Sequence, residues 1–202
     1  MSTAEDHAAI PTYLKAHGPL MGIAFVLVLP LGAWIVRLSK VTVWVHASIQ
    51  LLGWMMMLAG LALGIRLGRL TDLPSNNAHT ILGTLVVLFL FFQPLLGYIH
   101  HLRFRKLQKQ TRWTLMHIWN GRVAVLLGML NGGLGLRLAN NTTSGEIGYG
   151  VVAGVSGAAY LGLIVWTDVA RRNNDRTSKD DTTGGISMMD REAVESGRAG
   201  VE

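Results

Sequence analysis

Apolar residues along this chain are gathered into long runs separated by short polar stretches. No Asp, Glu, Lys or Arg occurs from Val41 to Ile65, nor from Asn76 to Ile99. Runs of this kind exceed the roughly 18–20 residues that a helix needs to cross the hydrocarbon of a bilayer. Five spans are predicted, at about 12–36, 43–65, 77–99, 114–136 and 147–167. The expected fold is therefore an all-α membrane protein with five transmembrane helices, the first four an antiparallel four-helix bundle and the fifth packed outside. The pattern changes after Thr167, where "DVARRNNDRTSKDDTTGG" and the remaining residues to Glu202 are polar, mixed in charge and have little to bury. Such composition predicts disorder. The expected division is a short N-terminal segment at 1–11, a transmembrane domain at 12–168 and a disordered tail at 169–202.

The fourth run is unlike an anchor. "LMHIWNGRVAVLLGMLNGGLGL", residues 115–136, carries His117, Asn120, Arg122 and Asn131, with glycines at 121, 128, 132, 133 and 135. Composition supports the membrane reading. Only 15% of the 202 residues are charged, against about 25% in a soluble domain. With no cysteine in the chain, disulfides and thiolate metal sites are excluded. No basic n-region precedes a small-residue cleavage site, so the first span is expected to serve as its own insertion signal. The net charge of +6 is not a nucleic-acid signature, because the basic residues sit in loops and the tail. They report orientation instead. On the side of the N-terminus (side A) lie Lys15, Arg66, Arg69 and Arg137; on side B lie Arg37, Lys40, Arg103, Arg105, Lys106, Lys109, Arg112, Arg171, Arg172, Arg176 and Lys179. Basic residues at span ends are retained in the cytoplasm, so side B is expected to be cytosolic. "NNTT" at 140–143 places two overlapping glycosylation sequons, at Asn140 and Asn141, on the opposite side.

Of the seven histidines, His17, His46, His79 and His117 each lie near the N-terminal end of one of the first four spans. Antiparallel folding puts His17 and His79 at one depth and His46 and His117 at another, on the order of 20 Å away at about 1.5 Å per residue. Helices 1 and 3 are diagonal in a four-helix bundle, as are 2 and 4, so each pair faces across the axis. On three of these helices the histidine face is also rich in glycine. From His117 the sector reads Gly121, Ala124, Gly128, Asn131 and Gly135. From His46 it holds Gly53, Gly60 and Gly64, and from His79 it holds Gly83 and Gly97. Small residues let helices approach closely; here they would also clear room for a flat ring. From His17 the sector reads Met21, Ala24, Val28, Leu31 and Ile35, with no glycine.

Two imidazoles opposed across a bundle suit a haem iron with both axial positions filled, which favours electron transfer over oxygen chemistry. Helix N-termini disfavour a protonated imidazole and keep the ligand form available. Zinc or copper fits less well, because each layer offers two nitrogens and no acidic residue lies within the four spans. The rival reading is a non-redox polytopic carrier or scaffold whose histidines pack or relay protons.

At these residues the chain resembles the cytochrome b561 family, in the haem-binding transmembrane core of the DOMON-linked type. The matching stretches are "AHGPLMGIAFVLVLPLGAW", "WVHASIQLLGW", "NNAHTILG", "FFQPLLGYIHH" and "HIWNGRVAVLLGMLNGGLGL". The resemblance implies two haem b groups, on His17 with His79 and on His46 with His117, the pairs that the folding argument also gives. It implies one-electron oxidoreductase chemistry through the membrane, from cytosolic ascorbate to an extracytosolic acceptor such as ferric iron or a redox protein. Sixteen residues precede His17, with neither a DOMON domain nor the extra leading helix of the six-helix members expected there, and donor and acceptor stay open. Arg122 and Gln50 join the candidate cofactor-binding set: Arg122 for a propionate, Gln50 for the haem or, like Asn131, a neighbouring backbone. Lys15 and Lys40 lie near layer ends, and His100 with His101 ends the third span beside a basic loop, facing a propionate, an anionic donor or simply the interface. Expected partners are membrane lipid and small-molecule or protein electron carriers, with no nucleic acid; a homodimer is left open. The plasma membrane and endomembranes are both admitted.

Overall fold

The computed structural model describes residues 4–38, 43–73 and 75–199, all of whose regular elements are helices. A short α1 (Ala4–Ala8) leads into α2 (Ile10–Ile23), which passes through a π-helical stretch at Ala24–Val28 into α3 (Leu29–Leu38). Then come α4 (Val43–Leu70), α5 (Ala78–Phe91), α6 (Gln93–Leu107), α7 (Arg112–Leu138) and α8 (Thr143–Ala199). Four stretches are long and apolar enough to cross a membrane: Ile10–Arg37, Val43–Leu70, Ala78–Leu107 and Thr143–Asn174. The protein is a multi-pass, all-α membrane bundle. The fourth predicted span, α7, does not reach that apolarity, because Asn120, Arg122, Asn131 and its glycines dilute its leucines and valines. It nevertheless packs along both α5 and α6.

Chain contacts separate residues 1–160 from 161–202. In the first unit, α2, the π stretch and α3 pack against α4, and α2 and the π stretch also meet α7; α5 and α6 lie along α7. The shared core is small and dry: Ala24, Phe25, Val26, Leu29, Met57, Val86, Leu90, Ala124, Val125 and Met129 are buried. Large apolar side chains such as Leu51, Leu88, Leu130 and Val151 are exposed, as expected where the surrounding medium is lipid. In the second unit the backbone is helical to Ala199, where the composition after 169 led to the expectation of an irregular tail. Helical hydrogen bonds close within the segment itself, so a polar stretch keeps them without a core. Residues 1–3 and 200–202 of the two terminal segments lie outside the described residues, as does Lys40.

Two helix breaks decide where the polar side chains go. Pro30 has no N–H, so the carbonyl four residues earlier, that of Val26, loses its helical donor. The Ser156 hydroxyl of α8 supplies one at 2.6 Å. Pro94 likewise deprives Leu90, and Trp54 Nε1 of α4 donates to that carbonyl at 3.1 Å. Phe89 O, in the same break between α5 and α6, accepts from Asn120 Nδ2 at 2.7 Å. Interrupted helices persist in a bilayer when neighbours satisfy the freed groups; these three side chains do so. Asn77 caps α5 by accepting from Thr80 N, and Thr111 with Thr114 forms a reciprocal capping box at the start of α7.

Candidate functional site

The bundle brings the four histidines together in two couples. The His17 and His79 ring centres are 6.1 Å apart with planes at 89°; those of His46 and His117 are 6.4 Å apart at 83°. A metal–nitrogen bond of about 2.0 Å on each side, plus roughly 1.15 Å from nitrogen to ring centre, would place two opposed imidazoles about 6.3 Å apart. Both separations fit one metal between two rings. Among the described residues no group of three or more His, Cys, Asp or Glu is placed to hold a metal ion. A metal in either couple therefore has to bring its remaining ligands with it, as a metal in a planar macrocycle does.

Hydrogen bonds select the nitrogen left for such a metal. His17 Nδ1 meets Gly60 O at 2.8 Å, His46 Nδ1 meets Gly32 O at 2.7 Å, and His79 Nδ1 meets Asn131 O at 3.1 Å. A carbonyl only accepts, so each Nδ1 carries the proton and each Nε2 keeps the lone pair of a neutral ligand. His117 Nδ1 is buried and makes no hydrogen bond, although the Gln93 carbonyl faces it. Gly60 lies fourteen residues beyond His46 on α4, which sets the two layers about 21 Å apart along the helix.

The glycine strips are seats for side chains rather than open space. A Cβ on Gly64 would stand 2.9 Å from His17 Cε1, one on Gly135 2.9 Å from His79 Cε1, and one on Gly97 3.1 Å from His117 Cε1. Three of the four imidazoles thus lie edge-on against a glycine of a neighbouring helix. The other strip glycines meet Leu29 at Gly53, Met21 at Gly60, Asn131 at Gly83, Gln93 at Gly121 and the Phe25 ring at Gly128. The strips thus seat side chains of neighbouring helices. The structure also explains why the first helix has no glycine in its sector. The π stretch inserts one residue into the register, so that beyond Ala24 it is Phe25, Leu29 and Gly32 that face the core, in place of Val28 and Leu31. Gly32 is the missing glycine, its carbonyl on His46 and its Cα beside Gln50. Pro30 was the signal in the sequence.

The remaining candidates separate cleanly. Gln50 Nε2 donates to Leu29 O at 3.0 Å, the helix-to-helix role. Asn131 takes part through its backbone carbonyl. Arg122 is 8% exposed, with its guanidinium carbon 5.0 Å from the Trp119 ring centre. Lys15 is exposed, two residues from His17. His101 meets the Trp44 ring edge-on at 6.3 Å, whereas His100 lies over His117, 5.8 Å between centres and 14° between planes. Arg103, Arg105, Lys106, Lys109 and Arg112 form an exposed basic rim beyond them.

Residues 1–103 match the family described as a domain of unknown function, DUF2427. A cytochrome b561 and DOMON domain-containing protein of Arabidopsis thaliana is 32% identical over 165 aligned residues, covering 74% of this chain and 38% of that relative. The chain thus spans well under half the length of the curated relative it matches. No solved structure matches. The aligned relative, the family match and the paired histidines on a membrane bundle agree, and the chain belongs to the cytochrome b561 family.

Proposed function

We propose that this protein carries single electrons across a membrane through two b-type haems, one held by His17 and His79, the other by His46 and His117. The observation that carries this reading is the pair of ring separations, 6.1 and 6.4 Å. Iron held by two imidazoles supplies a one-electron couple and offers no open position to oxygen. The chain's own residues do the rest. The carbonyls of Gly60, Gly32 and Asn131 hold three imidazoles in the ligand tautomer. The apolar plug of Phe25, Met57, Val86 and Ala124 keeps water from the space between the layers. Arg122, buried near His117, offers its charge to a propionate.

The basic rim around Arg103, Lys106 and Arg112 suits a small anionic donor, and we assign this side to the cytosol. Ascorbate fits that chemistry: it loses one electron and one proton to become its radical, and the electron passes to an extracytosolic acceptor such as ferric iron, which becomes ferrous. Purified protein should bind two haems per chain and give a six-coordinate low-spin spectrum when reduced with dithionite. Rapid mixing with ascorbate should reduce at least one of them. A folded, colourless protein after expression with ample haem would overturn the reading.

A further inference from the structure

An axial imidazole turns easily about its metal–nitrogen bond, so its plane is set by whatever touches the ring. Three of the four paired histidines are fixed by an Nδ1 bond to a carbonyl. His117 makes none. Also against it lie Gly97 at its edge and the ring of His100 over its face, 5.8 Å away and 14° from parallel. His100 is itself anchored: its Nδ1 is 3.0 Å from Thr114 Oγ1. Thr114 is 4% exposed and locked as the third residue of the α7 capping box. It lies one turn before His117 on the same helix, so the anchor and the ring it steers share one rigid support.

We infer that His100 is a positioning residue that holds the His117 imidazole nearly perpendicular to that of His46, through a stack braced by Thr114. This rests on the haem reading of the same couple. The mutual angle of two axial imidazoles governs how far the ferric iron's orbitals split, and perpendicular planes give a highly anisotropic low-spin resonance. The orientation of one ligand plane is therefore readable apart from any activity.

The test is electron paramagnetic resonance of the oxidised full-length protein as wild type, His100→Leu and His100→Phe, with His117→Ala used to mark which signal belongs to which couple. His100→Leu should keep two haems per chain and move the lowest-field feature of the His46–His117 signal to higher field, leaving the His17–His79 signal in place. His100→Phe keeps a flat ring but not the bond to Thr114, and its shift should be smaller. Spectra identical to wild type in both variants would overturn the inference. So would equal movement of both signals, which means general loosening. A wild-type protein that binds no haem would overturn the underlying reading and this one with it. Wild-type protein with two haems and variants without any change sinks the role of His100 alone.

Discussion

His17, His46 and His79 each commit one ring nitrogen to a carbonyl of a facing helix, and that decides which nitrogen remains for a metal. Removing a ligand should therefore act on one couple only. His117→Ala is expected to halve the haem content measured in pyridine extracts, while the His17–His79 signal survives; loss of neither haem would break the pairing. The close seats give a second test at this scale. Gly128 has room for no side chain because the Phe25 ring lies against it. Gly128→Val should cost about 1–3 kcal/mol of stability through overpacking, read as a lower unfolding midpoint in detergent. Phe25→Ala in the same chain should relieve much of that cost, because the two sites share one contact. The juxtaposition of the histidines was legible in the sequence, since depth follows from position along antiparallel helices. The seats were not. Which glycine receives which ring depends on the register between helices, and no single helix encodes it.

Among elements, the breaks at Pro30 and Pro94 are each matched by a donor on another helix. The bond from Ser156 to Val26 is worth about 0.6 kcal/mol by the average of such membrane contacts, and up to about 1.7. Ser156→Ala should lose that amount in the wild-type background. In a Pro30→Ala background residue 30 regains an N–H for Val26, so the same change should cost close to nothing. An undiminished cost in that double-mutant cycle would mean that the hydroxyl serves something other than the broken helix. The helix boundaries were readable from the apolar runs and caps such as Asn77 and Thr111. The π stretch was not, because a one-residue insertion leaves the composition of the run unchanged and alters only its phase. That is why the sector drawn from His17 finds the buried Ala24 but then points to Val28 and Leu31, when Phe25 and Leu29 fill the core.

For the whole molecule, the excess of basic residues on side B predicts a cytosolic location for the loop between α6 and α7. The chain has no cysteine, so single cysteines can be placed without background. Lys109→Cys should be blocked in intact cells only by a membrane-permeant maleimide, and Asn140→Cys by an impermeant one as well; the reverse result would invert the assigned orientation. Four of the five predicted spans are helices long and apolar enough to cross a membrane, and α7 shows where hydropathy alone stops. Its length matches its neighbours, yet Asn120 satisfies a carbonyl on α5 and Arg122 is buried within the bundle.

That last feature bears on biogenesis. A segment less apolar than its neighbours partitions less readily by itself, and the Asn120 amide of α7 has its acceptor on α5. Its insertion is thus expected to depend on assembly with the helices that precede it.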